Sequence, residues 1–194
     1  MKRAPILKML GAHASTGIDA HEAAMAADMI RFVEAHENCA ERSLLAGHLT
    51  GSAWIVDAAR RRTLLTHHRK LGMWLQLGGH ADGELDLASV AMREAREESG
   101  LTKLRLVTDA DGAVKIFDVD RHRIPGRGEE PEHWHYDVRF LVEADPDEPL
   151  VITSESKELA WVDLADVARV NPDESMLRMV RKTPAEQGAR GGGC

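Results

Sequence analysis

Apolar positions along the chain recur first at helical spacing and then in alternation. Residues 6–10 form a short apolar piece. Beyond Asp19, which can serve as an N-cap, Ala23, Ala26, Ala27, Ile30 and Val33 recur every three or four residues. Met29 and Phe32 widen that stripe, so the pattern predicts a helix to about His36 that packs through this face. From Leu44 the texture turns to short β-like runs, 51–56 and 63–67, joined by the polar turn 57–62, where Arg60, Arg61 and Arg62 are expected in solvent. A helix is predicted over 87–99, then strands at 104–107 and 114–119 around the turn 109–112. Residues 120–131 read as a polar loop, 133–140 as an alternating strand, 160–162 as a short strand and 172–180 as an amphipathic helix. Beyond Pro184 the sequence AEQGARGGGC predicts disorder. The expected organisation is a helical extension at 1–43, a unit of strands and helices at 44–182, and a tail at 183–194.

The helix at 87–99 carries its acids in an unusual place. Leu87, Ala91, Glu94 and Glu98 are spaced four, three and four apart and form one stripe, which Glu97 flanks beside Val90. The carboxylates thus continue the face the helix would bury, while Ser89, Arg93 and Arg96 lie around the other side. Like charges one turn apart cost a few tenths of a kcal/mol even when solvated, and more when desolvated. A cation should compensate, and converging oxygen ligands suit Mg²⁺ or Mn²⁺. The rival is a salt-bridged surface helix. Against it stand Gly78 and Gly79 just ahead of the helix, Asp86 where an N-cap belongs, and Gly100 where a left-handed C-terminal cap belongs.

Composition narrows the function classes. The 194 residues allow one domain with a sizeable core plus an appendage, and a net charge of -7 argues against general binding to nucleic acid. The two cysteines, Cys39 and Cys194, have neither disulfide nor metal-ligand spacing, which points to a reduced, cytoplasmic protein. No apolar run approaches the roughly 18 residues needed to span a bilayer, and no signal-peptide core is evident. His13, His21 and His36 are scattered and read as surface side chains rather than ligands.

The stretch 133–140 is the second informative one. Alternation puts His133, His135, Asp137 and Arg139 on one face and Trp134, Tyr136, Val138 and Phe140 on the other, the aromatic face being core. The polar face can bind a second metal or grip substrate phosphate; otherwise it is a hydrated outer face. His80, directly after Gly79, favours function, because a loop histidine and two strand histidines can converge. Arg69 belongs to a basic cluster, residues 67–70, ahead of the glycine loop; it can meet phosphate oxygens or remain a solvated charge.

Gly79, Arg93-Glu94-Ala95, Glu97-Glu98, Gly100 and Leu101 resemble the Nudix box, Gly-x5-Glu-x7-Arg-Glu-U-x-Glu-Glu-x-Gly-U with U aliphatic. The register holds without a gap, but the first glutamate position is Leu85, flanked by Glu84 and Asp86, either of which is expected to substitute. The run 74–79 resembles the strand that feeds the family's loop, and the Gly-Gly-His and His-x-His-Tyr-Asp segments are similar to those of one branch of the family. The resemblance implies an α+β fold, a Nudix-type α/β/α sandwich with a mixed sheet behind an N-terminal helical extension. It implies hydrolysis of a small-molecule nucleoside diphosphate derivative with Mg²⁺ or Mn²⁺ held by Gly79, Glu94, Glu97 and Glu98. Glu97 or Glu98 would act as base, with Glu155 as the alternative, and Arg93 would orient the glutamates. His80, His133, His135 and Arg69 are the candidates for substrate contact. Two other readings are a nucleotide sensor of the same fold and an isopentenyl diphosphate isomerase; the latter's catalytic cysteine has no counterpart, since Cys39 lies in the extension. A homodimer is left open.

Overall fold

The computed structural model describes residues 2–69, 71–128, 131–152 and 156–184. Two helices open the chain, α1 (Ala4–Ala14) and α2 (Ala20–Ala35). Asp19 caps α2, its carboxylate accepting from Glu22 N at 2.8 Å and satisfying one of the first turn's open amides. His13 is not at the surface as expected. It is buried, with Nε2 2.8 Å from Glu22 Oε1, because α1 packs back on α2 and a buried carboxylate requires a partner.

The elements that follow are β1 (Gly47–Val56), β2 (Arg62–His68), β3 (Trp74–Leu75), β4 (Leu77–His80), α3 (Leu87–Ser99), β5 (Arg105–Leu106), β6 (Asp118–Ile124), β7 (His133–Glu143) and β8 (Ser156–Asp163). A single 3-10 turn leads into α4 (Val167–Val170) and α5 (Glu174–Lys182). The eight described strands form one mixed sheet around a parallel pair, β1 and β7, registered from Gly47 opposite Trp134 to Val56 opposite Glu143. The middle of β1, Thr50 to Ala53, pairs antiparallel with β4 and its end with β2, while β7 pairs antiparallel first with β6 and then with β5. β2 in turn pairs with β3 and β8. These exchanges of partner along the two central strands curl the sheet.

All ten residues of β1 are buried, since both faces of the sheet are covered. Leu49, Ala53 and Ile55 face a core shared with Leu87, Val90, Ala91 and Ala95 of α3. Gly51 lets α3 sit directly on the strand: a Cβ there would lie 2.8 Å from the Leu87 carbonyl oxygen. Ile6 and Leu10 of α1 and Ala26, Met29 and Phe32 of α2 join that core, Phe32 stacking on Tyr136 at 4.0 Å. Trp54, Val56 and Leu141 point to the opposite face, under Met176 and Met179 of α5. The result is an α/β/α sandwich. Among the described residues no helix is long and apolar enough to cross a membrane.

Two further expectations are corrected, and one alternative is set aside. The strand expected at 114–119 is displaced to β6, which runs through residues expected to form a polar loop. Asp118 and Asp120 are buried there because Arg139 and Arg178 neutralise them. Arg60 is not solvated but packs as an ion pair with Glu143. The polar face of β7 is not a hydrated surface: His133, Asp137 and Arg139 are all buried. The tail from residue 185 lies outside the described residues.

Candidate active site

The glycine loop and the acidic helix meet as follows. Asp86 caps α3 by accepting from Ser89 N at 3.2 Å, and Gly100 ends it at φ 75°, a left-handed conformation that glycine adopts freely. Two turns of α3 then bring Glu94 and Glu98 to β4. Glu98 Oε2 accepts from Gly78 N at 3.0 Å. Glu94 lies against Gly79 so closely that a Cβ on that glycine would be 2.5 Å from its carboxylate. Arg93 donates through Nη2 to Glu94 Oε1 at 2.7 Å and to the His80 carbonyl at 3.0 Å, fixing the helix to the strand. The hydrogen bond to Glu94 raises the Arg93 pKa, so the guanidinium stays charged.

Of the other positions in this stretch, Glu97 is exposed on α3 and Glu98 is buried. Leu85 packs at the margin of the core, Glu84 accepts from Asp86 N at 2.8 Å, and Asp86 is the helix cap, so both flanking acids are engaged locally. Arg69 is exposed just beyond β2. Glu155 lies outside the described residues. Cys39 is a buried free thiol whose pKa is pushed up by burial.

The histidines converge. In β6, β7 and β1 the residues His122, His135 and His48 stand directly opposite one another in register, with His133 two residues earlier on β7. His80, opposite Thr50, adjoins from β4. The His48 ring centre lies 5.0 Å from those of His80 and His133 and 4.7 Å from that of His135. His133 Nδ1 is 2.9 Å from the Pro131 carbonyl oxygen, and its Nε2 is 3.3 Å from His135 Nε2. Neither ring nitrogen of His48 has a hydrogen-bond partner among the described residues. An unmet buried polar group costs about 1–3 kcal/mol. Burial, then the imidazoles of His80 and His133, lower the His48 pKa to about 4. His135 is lowered to about 2 by burial and by its four imidazole neighbours.

One row further along, Asp137 is a hub: it accepts from Thr50 Oγ1 at 2.9 Å, Ser52 Oγ at 2.7 Å, Gln76 Nε2 at 3.2 Å and Arg139 Nε at 2.8 Å. Burial pushes its carboxyl up, but Arg139 and these donors outweigh it, so the net shift is downward. Sequence reasoning missed His48 and His122. The signal was present as alternation, His48-Thr50-Ser52 and Asp118-Asp120-His122, but each run crossed a strand boundary drawn from apolar residues, which left its histidine outside.

A family model described as NUDIX domain matches residues 48–182. No curated protein is similar enough to match. Among solved structures, a C. elegans Ap4A hydrolase in a binary complex is 19% identical with a TM-score of 0.53, covering 69% of this chain and 93% of that one. The E. coli dihydroneopterin triphosphate pyrophosphohydrolase is 16% identical with a TM-score of 0.54, covering 70% and 94%. A MutT NUDIX hydrolase from Burkholderia pseudomallei is 20% identical with a TM-score of 0.51, covering 71% and 98%. At these identities the likeness is one of fold.

Proposed function

The chain belongs to the NUDIX family of pyrophosphohydrolases, and we propose that it cleaves the diphosphate bond of a nucleoside diphosphate linked to another moiety, using Mg²⁺ or Mn²⁺. The observation that carries this reading is the seating of two carboxylates from successive turns of α3 on consecutive glycines of β4. An oxygen donor set of this kind fits a hard divalent cation. Glu94, Glu97, Glu98 and the Gly79 carbonyl would hold it. When bound, such an ion supplies neutralisation of the diphosphate and a water of lowered pKa.

The protein groups do the rest. Arg93 holds Glu94 in place through its 2.7 Å hydrogen bond. Glu97, exposed at the helix surface, or Glu98 would take the proton from the attacking water, with Glu155 as the alternative base. Glycine at position 79 leaves room for the Glu94 carboxylate, which a side chain would displace.

The test is phosphate release from a panel of nucleoside diphosphate derivatives and triphosphates, with added phosphatase, by wild type and Glu98→Gln. Ap4A and dihydroneopterin triphosphate, named for two of the structural relatives, belong in the panel. Metal-dependent cleavage that falls by on the order of a hundredfold or more in Glu98→Gln is the expected result. Undiminished turnover in that variant removes the carboxylate mechanism. Nucleotide that stays bound and intact favours a sensor.

A further inference from the structure

Outside the carboxylates, the densest unexplained chemistry is the imidazole cluster where β1 and β7 begin and β6 ends. His48, His133 and His135 each offer a ligand atom, and the three atoms all lie within 4.8 Å of one another. The geometry points to a second metal site, in which these three imidazoles bind a divalent transition ion of the zinc class. It is separate from the carboxylate site and does not depend on the hydrolase reading.

Three observations carry it. First, the Pro131 carbonyl can only accept, so the 2.9 Å contact puts the hydrogen of His133 on Nδ1 and leaves Nε2 with its lone pair turned to the cluster. Fixing the far nitrogen on a carbonyl is how proteins orient metal-ligating histidines. Second, tetrahedral Zn–N bonds of about 2.0–2.1 Å set neighbouring nitrogens about 3.3–3.4 Å apart. The Nε2 atoms of His133 and His135 are 3.3 Å apart. Third, a hydrogen bond between those two rings would still leave both nitrogens of His48, which is only 1% exposed, unpaired. One ion serves all three rings.

The donor set also names the class of ion. Imidazoles suit Zn²⁺, Cu²⁺, Fe²⁺ or Ni²⁺, whereas Mg²⁺ takes oxygen ligands, so the two sites would not compete for one metal. Three protein ligands leave a fourth position open for water or a substrate oxygen. His135 is only partly buried, which gives access from solvent, and the His80 ring flanks the cluster 5.1 Å from His135. His80 directly follows Gly79, so the ion would sit beside the carboxylate site.

The experiment uses full-length protein stripped with a chelator and reloaded with Zn²⁺. Bound metal is counted by elemental analysis, and affinity is measured by competition with a chromophoric chelator. Wild type and Glu94→Gln/Glu98→Gln should each hold about one equivalent of tightly bound Zn²⁺. His48→Gln and His135→Gln should bind it weaker by on the order of a hundredfold, with cooperative melting retained. If His48→Gln does not fold, the partly exposed His135→Gln and the wild-type stoichiometry decide. Wild type that retains no Zn²⁺ overturns the site. So does Zn²⁺ that survives both histidine substitutions or is lost from the carboxylate variant alone.

Discussion

Replacing Arg139 with methionine tests the buried charge network on which the polar face is built. Arg139 is 2% exposed and donates to Asp137 Oδ2 at 2.8 Å, Asp120 Oδ2 at 3.0 Å and Asp118 Oδ1 at 3.1 Å. Arg178 Nε lies 2.8 Å from Asp118 Oδ2 and Lys182 Nζ 3.1 Å from it, and Lys182 is shared with the buried Glu22, so three cations meet three aspartates and one glutamate. In Arg139→Met two cations face the same four carboxylates. Asp118 keeps Arg178 and Lys182, and Asp137 keeps its hydroxyl and amide donors; Asp120 is left with Arg178 Nη2 at 3.6 Å. Breaking one buried pair costs about 3–5 kcal/mol, or a fall in melting temperature of roughly 6–20 °C at about 2–4 °C per kcal/mol for a chain of this size.

Urea denaturation at several pH values checks both size and origin. In wild type the Asp118 carboxyl is held at about 2, burial being outweighed by Arg178, Arg139 and Lys182, so its contribution is present above the unfolded value and lost as pH falls through about 2. In the variant the folded pKa of Asp137 rises, because burial loses its main opponent, and the penalty shrinks as pH falls through that raised value. The stability gap should therefore narrow on acidification. A loss under about 1 kcal/mol, or a gap that does not change with pH, refutes the reasoning.

Two further substitutions probe other parts of the argument. Phe32→Ala removes a nearly buried ring stacked on Tyr136 and should destabilise the protein by about 3–5 kcal/mol in chemical denaturation; a negligible change would mean that the N-terminal helices are not part of the core. Gly79→Ala places a methyl group 2.5 Å from the Glu94 carboxylate and should lower kcat on the order of a hundredfold while leaving the melt nearly unchanged. Full activity in steady-state assays would show that the close approach is not needed.

What could be read from the sequence was local. The cap at Asp19, the stripe on α3 and the stop at Gly100 are all set within a few residues, and each appears in the structure. What escaped depends on partners far along the chain. Asp120 looks like a loop residue, and Asp118 like the polar end of a strand, until Arg139 and Arg178 neutralise them, and only then can β6 run inward. His48 belongs to the imidazole cluster because β1 and β7 pair in parallel, and a parallel register leaves no turn signature to read. Likewise, the polar alternation of 133–140 identified the two faces, but not that α5 would cover part of the charged one.

The contact between Lys182 and Glu22 has a consequence for the nascent chain. Glu22 is buried, bonded to His13 nearby and, at 2.6 Å, to Lys182, 160 positions later. At about 5–20 residues per second, roughly 8–30 s of synthesis separate the carboxylate from its ammonium partner. The ribosome also delivers β7, the parallel neighbour of β1, long after β1 itself. The two opening helices must therefore wait as a pair, and their final docking is expected only after the last helix has left the exit tunnel.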